Sequence, residues 1–304
     1  MSQKTVIVIA GPTASGKTTL SLQLAEHFST AIISADSRQC YKELNIGVAK
    51  PAATDLERIQ HYFINSHSIH EQVNAGVYES YALAAVETIF TTRDTAILVG
   101  GTGLYIKAFC EGVDEIPEID EQIRVTLRNE YKEKGLVWLQ EMIQQNDPVF
   151  YKKGEMQNPQ RMLRALEVKL SSGQSILNLH SSPQKKRPFN IIKIGITLPR
   201  HQLYNNINKR VDDMIKEGLE QEVRSLEPYR NINALQTVGY KELFDYFDGL
   251  TSRDQAIEEI KKNTRHYAKR QLTWFNRDEQ IRWINIEAED TFAGVLELIA
   301  SSKA

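Results

Sequence analysis

The feature that most constrains the fold is a glycine-rich loop placed between an apolar run and a helix. The apolar run at residues 5–10 leads directly into Gly11-Pro12-Thr13-Ala14-Ser15-Gly16-Lys17-Thr18, and Leu20, Leu22 and Leu24 follow. A strand, the pattern G-x-x-x-x-G-K-[ST] and a helix in this order are typical of a phosphate-binding loop. The glycines let successive backbone N–H groups face one anion, and the helix N-terminus adds partial positive charge. The sequence therefore predicts that residues 11–18 bind a phosphate or diphosphate.

Two side chains of this loop have predicted roles of their own. Lys17 is expected to reach the outer phosphate oxygens, and the Thr18 hydroxyl is expected to hold a Mg²⁺ ion that bridges them. A Gly/Ser turn with a chance lysine is the alternative. It is disfavoured because the strand, the loop and the helix all agree.

Alternating apolar strands and helices predict an α/β fold around this loop. Buried strands are predicted at residues 31–35, 95–99 and 189–198, in a P-loop-type, mostly parallel sheet flanked by helices. Between them, residues 117–188 are rich in charge and have helical periodicity. We therefore expect an all-helical insertion domain at 117–188, set into a catalytic core of residues 1–116 and 189–304.

Polar residues follow two of these strands. The second strand ends in Asp36-Ser37-Arg38-Gln39, and the third ends in the glycine cluster at 100–105. Ligands of open α/β sheets bind at the carboxyl ends of the strands, so Asp36 is expected to face the phosphate loop. It would act there as a general base or beside the magnesium ion, or else it is the N-cap of a helix that follows the strand. The glycine cluster is a second substrate loop or only a tight turn.

Composition limits where the protein works. Cys40 and Cys110 are too few for a disulfide framework, so a cytoplasmic location is expected. Separately, we expect the protein to be a monomer. No apolar run approaches the ~20 residues that cross a bilayer, so no membrane contact is predicted. The net charge of −2 does not exclude a polyanionic partner, because basic residues cluster late in the chain.

That late cluster lies at residues 261–277, which contain six lysines and arginines, several aromatic residues and no acid. A basic helix with nearby aromatics is typical of a nucleic-acid surface, although many such helices are only solvated. Arg161 and Arg164 follow the helix start Asn158-Pro159, and on residue pattern alone a solvated face is favoured for them. For Arg210, the pattern does not separate a position in the phosphate crevice from a position in solvent.

These residues admit a phosphotransferase as readily as a group transfer in which diphosphate leaves. A small-molecule or nucleoside kinase would use the loop for ATP and Asp36 as the base for a hydroxyl. A nucleotide-switch RNA-binding protein would carry Asn-Lys-x-Asp. The segment Asn208-Lys209-Arg210-Val211-Asp212 has one residue too many for that motif.

Over nearly its whole length the sequence resembles the tRNA dimethylallyltransferases, also called tRNA isopentenyltransferases. The resemblance rests on an ordered set of motifs: residues 11–18, Asp36-Ser37-Arg38-Gln39, Tyr41-Lys42, Gly47-Val48-Ala49-Lys50-Pro51, Gly100-Gly101-Thr102-Gly103-Leu104-Tyr105, Asn158-Pro159-Gln160-Arg161, Val238-Gly239-Tyr240 and Lys269-Arg270-Gln271-Leu272-Thr273-Trp274. The family commonly has threonine where this chain has Val48, which puts one hydroxyl contact in doubt.

The resemblance implies transfer of a dimethylallyl group from dimethylallyl diphosphate to the N6 amine of the adenosine 3′-adjacent to the anticodon. The products would be N6-isopentenyladenosine in tRNA and diphosphate. Lys17, Thr18, the loop amides and Arg210 would stabilise the departing diphosphate together with Mg²⁺, and Asp36 would take the proton of the amine. Loose acceptance of ATP by the loop is left open.

The resemblance also implies an anticodon stem-loop partner whose target base is flipped into the crevice. The residues expected to contact tRNA are Asp36, Ser37, Arg38, Gln39, Thr102, Arg124, Gln160, Arg161, Met162, Leu163, Arg164, Arg265, Lys269 and Arg270.

Overall fold

The computed structural model describes residues 4–114, 117, 119–179, 185–286 and 291–303. The chain divides into two compact units, which we call the sheet unit (Met1–Glu111 and Lys186–Ala304) and the helical unit (Gly112–Lys185). The sequence analysis placed the limits of the insertion at 117 and 188. The two units are described separately below.

A six-stranded sheet with parallel pairing throughout forms the centre of the sheet unit, which confirms the predicted fold class. Its strands are β1 (Thr5–Ala10), β2 (Ile32–Ser34), β3 (His61–Tyr62), β4 (Thr95–Gly100), β5 (Asn190–Thr197) and β6 (Arg282–Asn285). The strand order is β3-β2-β4-β1-β5-β6, so β1 lies between β4 and β5. The phosphate loop therefore leaves the middle of the sheet.

The helices follow in chain order. They are α1 (Lys17–His27), α2 (Ala53–Arg58), α3 (Ala75–Phe90), α4 (Gly103–Glu111), α5 (Glu121–Asn146), α6 (Pro148–Lys153), α7 (Pro159–Ser172), α8 (Ile176–Leu179), α9 (Arg200–Glu217), α10 (Leu219–Ser225), α11 (Lys241–Phe247), α12 (Arg253–Phe275) and α13 (Thr291–Lys303). Helices α5 to α8 belong to the helical unit.

Strand β1 shows why the sheet needs helices on both faces. Every residue of β1 is buried, and alternate side chains point to opposite faces. Val6 and Val8 pack into a core that includes residues of α3 and α4, whereas Ile7 and Ile9 pack with residues of α1 and α13. Burying each of these side chains contributes roughly 1.5–3 kcal/mol to the free energy of unfolding. The two layers of helices hold the strand ends, and thus the loops that follow them, in fixed positions.

The helical unit has its own apolar core, built from side chains of α5, α6, α7 and α8. Helix α5 is interrupted at Gly135, whose φ of 78° and ψ of −166° are not helical. Helix α7 begins as expected, because the Asn158 side chain accepts a hydrogen bond from the backbone N–H of Arg161 and Pro159 takes the first helical position.

Two further observations concern the helices and the cysteines. None of the helices in the part of the chain that the structure describes has the length and hydropathy needed to cross a bilayer. Cys40 and Cys110 are free and buried.

Candidate active site

The phosphate loop joins β1 to α1 through backbone conformations that favour glycine. Gly16 has φ 88°, in the left-handed region, and it precedes the first residue of α1. At Gly11, a Cβ atom would lie 2.7 Å from the backbone oxygen of Ile196 in β5, so no side chain fits there. No described side chain caps α1, which leaves its first N–H groups to bind an anion.

Two cations lie at this loop. Lys17 Nζ donates a hydrogen bond to the Pro12 carbonyl oxygen, and Arg210 Nη1 donates one to Thr13 Oγ1 at 3.2 Å. The pKa of Lys17 is lowered to about 7, first by burial and then by the charge of Arg210, while Asp36 partly opposes the shift. Burial also lowers the pKa of Arg210. Two desolvated cations facing one loop favour binding of a multiply charged anion.

Asp36 follows β2 and has a local structural role. Its Oδ1 accepts hydrogen bonds from the backbone N–H groups of Arg38 at 2.8 Å and Gln39 at 3.3 Å. The carboxylate thus caps a turn at residues 37–40, whereas the structural alternative considered from the sequence was the N-cap of a helix. Asp36 also lines two cavities, so it can contact a ligand there while it caps the turn.

The two cavities adjoin each other in the sheet unit. The smaller, of about 160 Å³, is lined by phosphate-loop residues 13–18, and the larger measures about 630 Å³. Both are lined by Thr13, Asp36, Val48, Ala49, Arg210 and Tyr267. The shared wall therefore contains both a carboxylate and a guanidinium. A substrate whose diphosphate lies in the smaller cavity would have its reacting end beside Asp36.

The segment at 47–49 lines the larger cavity, and its Val48 and Ala49 also line the smaller one. Gln39 Nε2 donates hydrogen bonds to the carbonyl oxygens of Val48 at 3.3 Å and Ala49 at 2.9 Å. Val48, where the resembling family has threonine, is thus held through its backbone. The side-chain difference leaves these two contacts intact.

Glu222 of α10 holds the start of the same segment. Its carboxylate accepts hydrogen bonds from the backbone N–H groups of Asn45, Ile46 and Gly47, and from the Tyr240 hydroxyl at 2.6 Å. A Cβ atom on Gly47 would lie 2.6 Å from the Tyr240 ring, so this close approach requires glycine. Sequence reasoning predicted no role for Glu222.

We expect Glu222→Gln to lower the free energy of unfolding by about 1–3 kcal/mol, because an amide nitrogen would face donors that the carboxylate now satisfies. Urea denaturation measures the change. Glu220→Gln on the same helix is the matched control, because Glu220 pairs with the partly exposed Arg253, and such pairs contribute about 0–1 kcal/mol. Equal losses in the two variants would contradict the role of Glu222.

The glycine cluster after β4 meets the other two loops. Thr102 Oγ1 accepts a hydrogen bond from the backbone N–H of Ser37 at 3.0 Å. Gln271 of α12 contacts both Thr13 and Gly101 through hydrogen bonds of 2.9 Å. The segments that follow β1, β2 and β4 are therefore connected to one another. The glycine cluster thus lies beside both the phosphate loop and the turn after β2.

Tyr267 of α12 also reaches this junction, where it lines both cavities. Burial, and after it the charge of Asp36, raise the pKa of Tyr267 to about 12, although a hydrogen bond with Thr102 opposes the shift. The sequence analysis noted Tyr267 only as an aromatic residue within the basic cluster. Its phenol is therefore a neutral hydrogen-bonding group beside Asp36 at neutral pH.

The basic cluster of α12 is less uniform than the sequence suggested. Lys261 pairs with Asp212 at 2.8 Å and with Glu258 at 2.9 Å, and Lys262 pairs with Glu259 at 2.9 Å. Further along, Lys269 and Arg270 are exposed. The unbalanced positive charge thus lies in the second half of the helix.

The remaining basic residues of this helix adjoin the site in different ways. Arg265 donates a hydrogen bond to Asn208 Oδ1 at 2.7 Å. Arg270 lies 5.8 Å from the centre of the Tyr267 ring and, like Arg38, lines the larger cavity.

The helical unit carries the other residues predicted to contact tRNA. Met162 and Leu163, at 0% and 4% exposure, pack into its core, so their side chains present no surface to RNA. The buried Glu167 has Arg124 at 3.8 Å and Arg164 at 3.6 Å.

Gln160 and Arg161 are exposed at the start of α7. Arg161 lies 3.9 Å from the half-exposed Glu155. Of the residues of α7 that were predicted to contact tRNA, those that solvent reaches are therefore Gln160, Arg161 and Arg164.

Known proteins resemble this chain over nearly its whole length. Residues 39–278 match the family model described as IPP transferase. A curated relative from Cytophaga hutchinsonii, named tRNA dimethylallyltransferase, is 44% identical over 282 residues, covering 93% of each chain. A relative of the same name from Christiangramia forsetii is 46% identical over 282 residues, again covering 93% of each chain.

Solved structures agree with the sequence comparison. The tRNA isopentenylpyrophosphate transferase from Bacillus halodurans matches with a TM-score of 0.73 and 32% identity, over 99% of this chain and 97% of that one. A eukaryotic dimethylallyltransferase, described as acting on tRNA, matches with a TM-score of 0.79 and 26% identity, over 98% of this chain and 78% of that one. The sequence match, the shared fold and the phosphate loop beside Asp36 agree, and the chain belongs to the IPP transferase family.

Proposed function

We propose that this protein transfers the dimethylallyl group of dimethylallyl diphosphate to the N6 amine of the adenosine 3′-adjacent to the anticodon in tRNA. The observation that carries the proposal is the pair of adjoining cavities, with Asp36 and Arg210 in their shared wall. One cavity has the groups that bind a diphosphate, and the other has room for a base. The names of the relatives support the same activity.

The leaving group is held by the phosphate loop. The phosphate loop at residues 11–18 and Arg210 are proposed to bind the diphosphate, through the backbone N–H groups of residues 14–18, the Lys17 ammonium and the Arg210 guanidinium. Negative charge grows on the diphosphate as the allylic C–O bond breaks, so fixed donors at this position lower the barrier. The desolvated state of Lys17 and Arg210 strengthens the interaction in the transition state.

The oxygen donors of the smaller cavity fit a magnesium ion. Thr18 is exposed and lines this cavity, and Asp36 lines the same cavity. Mg²⁺ usually takes one or two protein oxygens together with substrate phosphates and water. Thr18 would be the protein ligand, and the ion would neutralise charge on the diphosphate oxygens.

Asp36 is the proposed general base. The amine of adenine is a weak nucleophile because its lone pair is delocalised into the ring. A carboxylate at the shared wall can orient this amine and accept its proton as the N–C bond forms. Thr102 and the neighbouring Ser37, Arg38 and Gln39 are proposed to bind the flipped base and adjacent nucleotides.

Other residues are proposed to bind the rest of the anticodon stem-loop. In the sheet unit these are Arg265, Lys269 and Arg270, whose cations suit RNA phosphates. In the helical unit they are Arg124, Gln160, Arg161 and Arg164, while Met162 and Leu163 support the helix from the core. The monomeric state and the cytoplasmic location stay predictions.

The test is a transfer assay with labelled dimethylallyl diphosphate, Mg²⁺ and an unmodified anticodon stem-loop with adenosine at the target position. Labelled ATP with the same RNA is used in parallel. Label that moves into RNA only from the prenyl donor is the expected result. Turnover of ATP alone would overturn the proposal and indicate a kinase. The family membership argues against a kinase.

A second expectation concerns the RNA surface. Replacing Lys269 and Arg270 with alanine should reduce the log–log salt slope of tRNA binding by about one to two units, at roughly 0.7–0.9 per phosphate contact. Binding is measured by titration over a range of salt concentrations. Lys262→Ala is the control on the same helix, because Glu259 already neutralises Lys262. An unchanged slope in the double variant would mean that Lys269 and Arg270 are only solvated and do not contact RNA phosphates.

A further inference from the structure

A buried glutamine joins two loops of the site. Gln271 is 6% exposed, although glutamine is usually a surface residue. Its Oε1 accepts a hydrogen bond from the backbone N–H of Thr13, and its Nε2 donates one to the carbonyl oxygen of Gly101, each at 2.9 Å. The single side chain thus connects the phosphate loop to the loop that carries Thr102.

The two partners fix the chemistry needed at this position. A backbone N–H requires an acceptor and a carbonyl oxygen requires a donor, and a primary amide supplies both. A Cβ atom on Gly101 would lie 2.2 Å from Nε2, so the glycine makes room for the amide. The side chain, the glycine and the two backbone groups therefore form one fitted unit.

Thr13 and Gly101 belong to different functional parts of the site. Thr13 lines both cavities and accepts a hydrogen bond from Arg210, so its position affects the diphosphate side. Gly101 precedes Thr102, which binds the backbone of Ser37 on the side of the base. A change in the spacing of these loops would move the leaving group relative to the amine.

We propose that Gln271 is a positioning residue, which sets the distance between the diphosphate loop and the loop that holds the target base. The inference rests on the proposed prenyl transfer. Gln271 directly follows Lys269 and Arg270 in α12, so the helix proposed to bind RNA also fixes the two loops. Gln271 also lines the smaller cavity, but its amide oxygen and nitrogen are already bonded to Thr13 and Gly101, so it is proposed to act through these two loops.

Two substitutions distinguish the hydrogen bond to Thr13 from the hydrogen bond to Gly101. Gln271→Met keeps the size of the side chain but removes both hydrogen bonds. Gln271→Glu keeps an acceptor for Thr13 and places a second acceptor against the Gly101 oxygen. Gln140→Met is the matched control, because Gln140 Nε2 donates a comparable 2.8 Å bond to the Met156 carbonyl oxygen within the helical unit.

The measurements are kcat and the KM values for dimethylallyl diphosphate and the anticodon stem-loop, referred to the folded fraction found by circular dichroism. We expect Gln271→Met to lower kcat on the order of 100-fold, the size of effect known for small misplacements of reacting groups. It should also raise KM for the diphosphate substrate. Gln271→Glu should lower kcat while keeping that KM near the wild-type value. KM for RNA should stay unchanged in both, because Lys269 and Arg270 are intact.

Unchanged kcat per folded molecule in both Gln271 variants would overturn the positioning role. So would an equal loss of kcat in Gln140→Met, since loss of any buried glutamine bond would then explain the effect. If Gln271→Met does not fold, the Gln271→Glu variant decides by the same readouts. Absence of prenyl transfer by the wild-type protein would instead overturn the proposed function.

Discussion

Replacing Asp36 with asparagine is expected to lower kcat by about 10²- to 10⁴-fold, the usual contribution of a general base. The asparagine oxygen can still accept the hydrogen bonds from the N–H groups of Arg38 and Gln39, so the turn after β2 should persist. Only the proton-accepting ability is lost. The measurement is single-turnover transfer of labelled prenyl groups to the stem-loop, with tRNA affinity expected to remain within a few-fold.

Two further variants make the interpretation specific. Asp36→Ala removes the cap as well as the base, so it should abolish turnover and also destabilise the turn. Asp248→Asn is the control for the same chemical change, because Asp248 pairs with Arg230 and does not line either cavity. A near-normal rate in Asp36→Asn would exclude a general-base role and leave Asp36 as a structural cap.

The second large effect is expected at Arg210. Arg210→Ala should lower kcat by about 10²- to 10³-fold, on the scale found when a group that stabilises transition-state charge is removed. The guanidinium lies 3.2 Å from Thr13 Oγ1 and lines both cavities, so it can follow the charge on the departing diphosphate. Inhibition by inorganic diphosphate, measured in parallel, shows how much of the loss comes from weaker binding of diphosphate in the ground state.

The neighbouring residue provides the control for Arg210. Lys209 is exposed and pairs with Asp213 one turn further along α9. Lys209→Ala should therefore change neither kcat nor diphosphate inhibition, although it removes the same charge from the same helix. If both variants lose the same activity, the effect is one of overall charge, and Arg210 has no specific role.

Much of the sheet unit could be predicted from local sequence patterns. The strands at β1, β4 and β5 are apolar runs, and the loop after β1 has a motif whose backbone requirements are known. Strand β3 was not predicted, because its two residues, His61 and Tyr62, are defined by backbone pairing with β2. Such a short segment has no side-chain periodicity to detect.

The tertiary contacts of the site could not be predicted from local sequence patterns. Gln271 and Thr13 are 258 positions apart, and Glu222 lies 177 positions from Asn45. No spacing rule links such pairs, although Gln271 stands inside a motif that the resemblance had already used. Arg210 could be assigned to the crevice only through that resemblance. The surroundings of Met162 and Leu163 likewise appear only once the core of the helical unit is known.

The central place of β1 has a consequence for how the chain is made. Thr5 pairs with Thr95 of β4 on one side and with Asn190 of β5 on the other. On the ribosome, at about 5–20 residues per second, one edge of β1 stays open for roughly ten seconds or more before β5 emerges. The helical unit, whose core residues lie between Ile119 and Ile176, is synthesised within this delay and is completed shortly before β5. The nascent chain should therefore need protection against edge-to-edge aggregation until β5 has been synthesised.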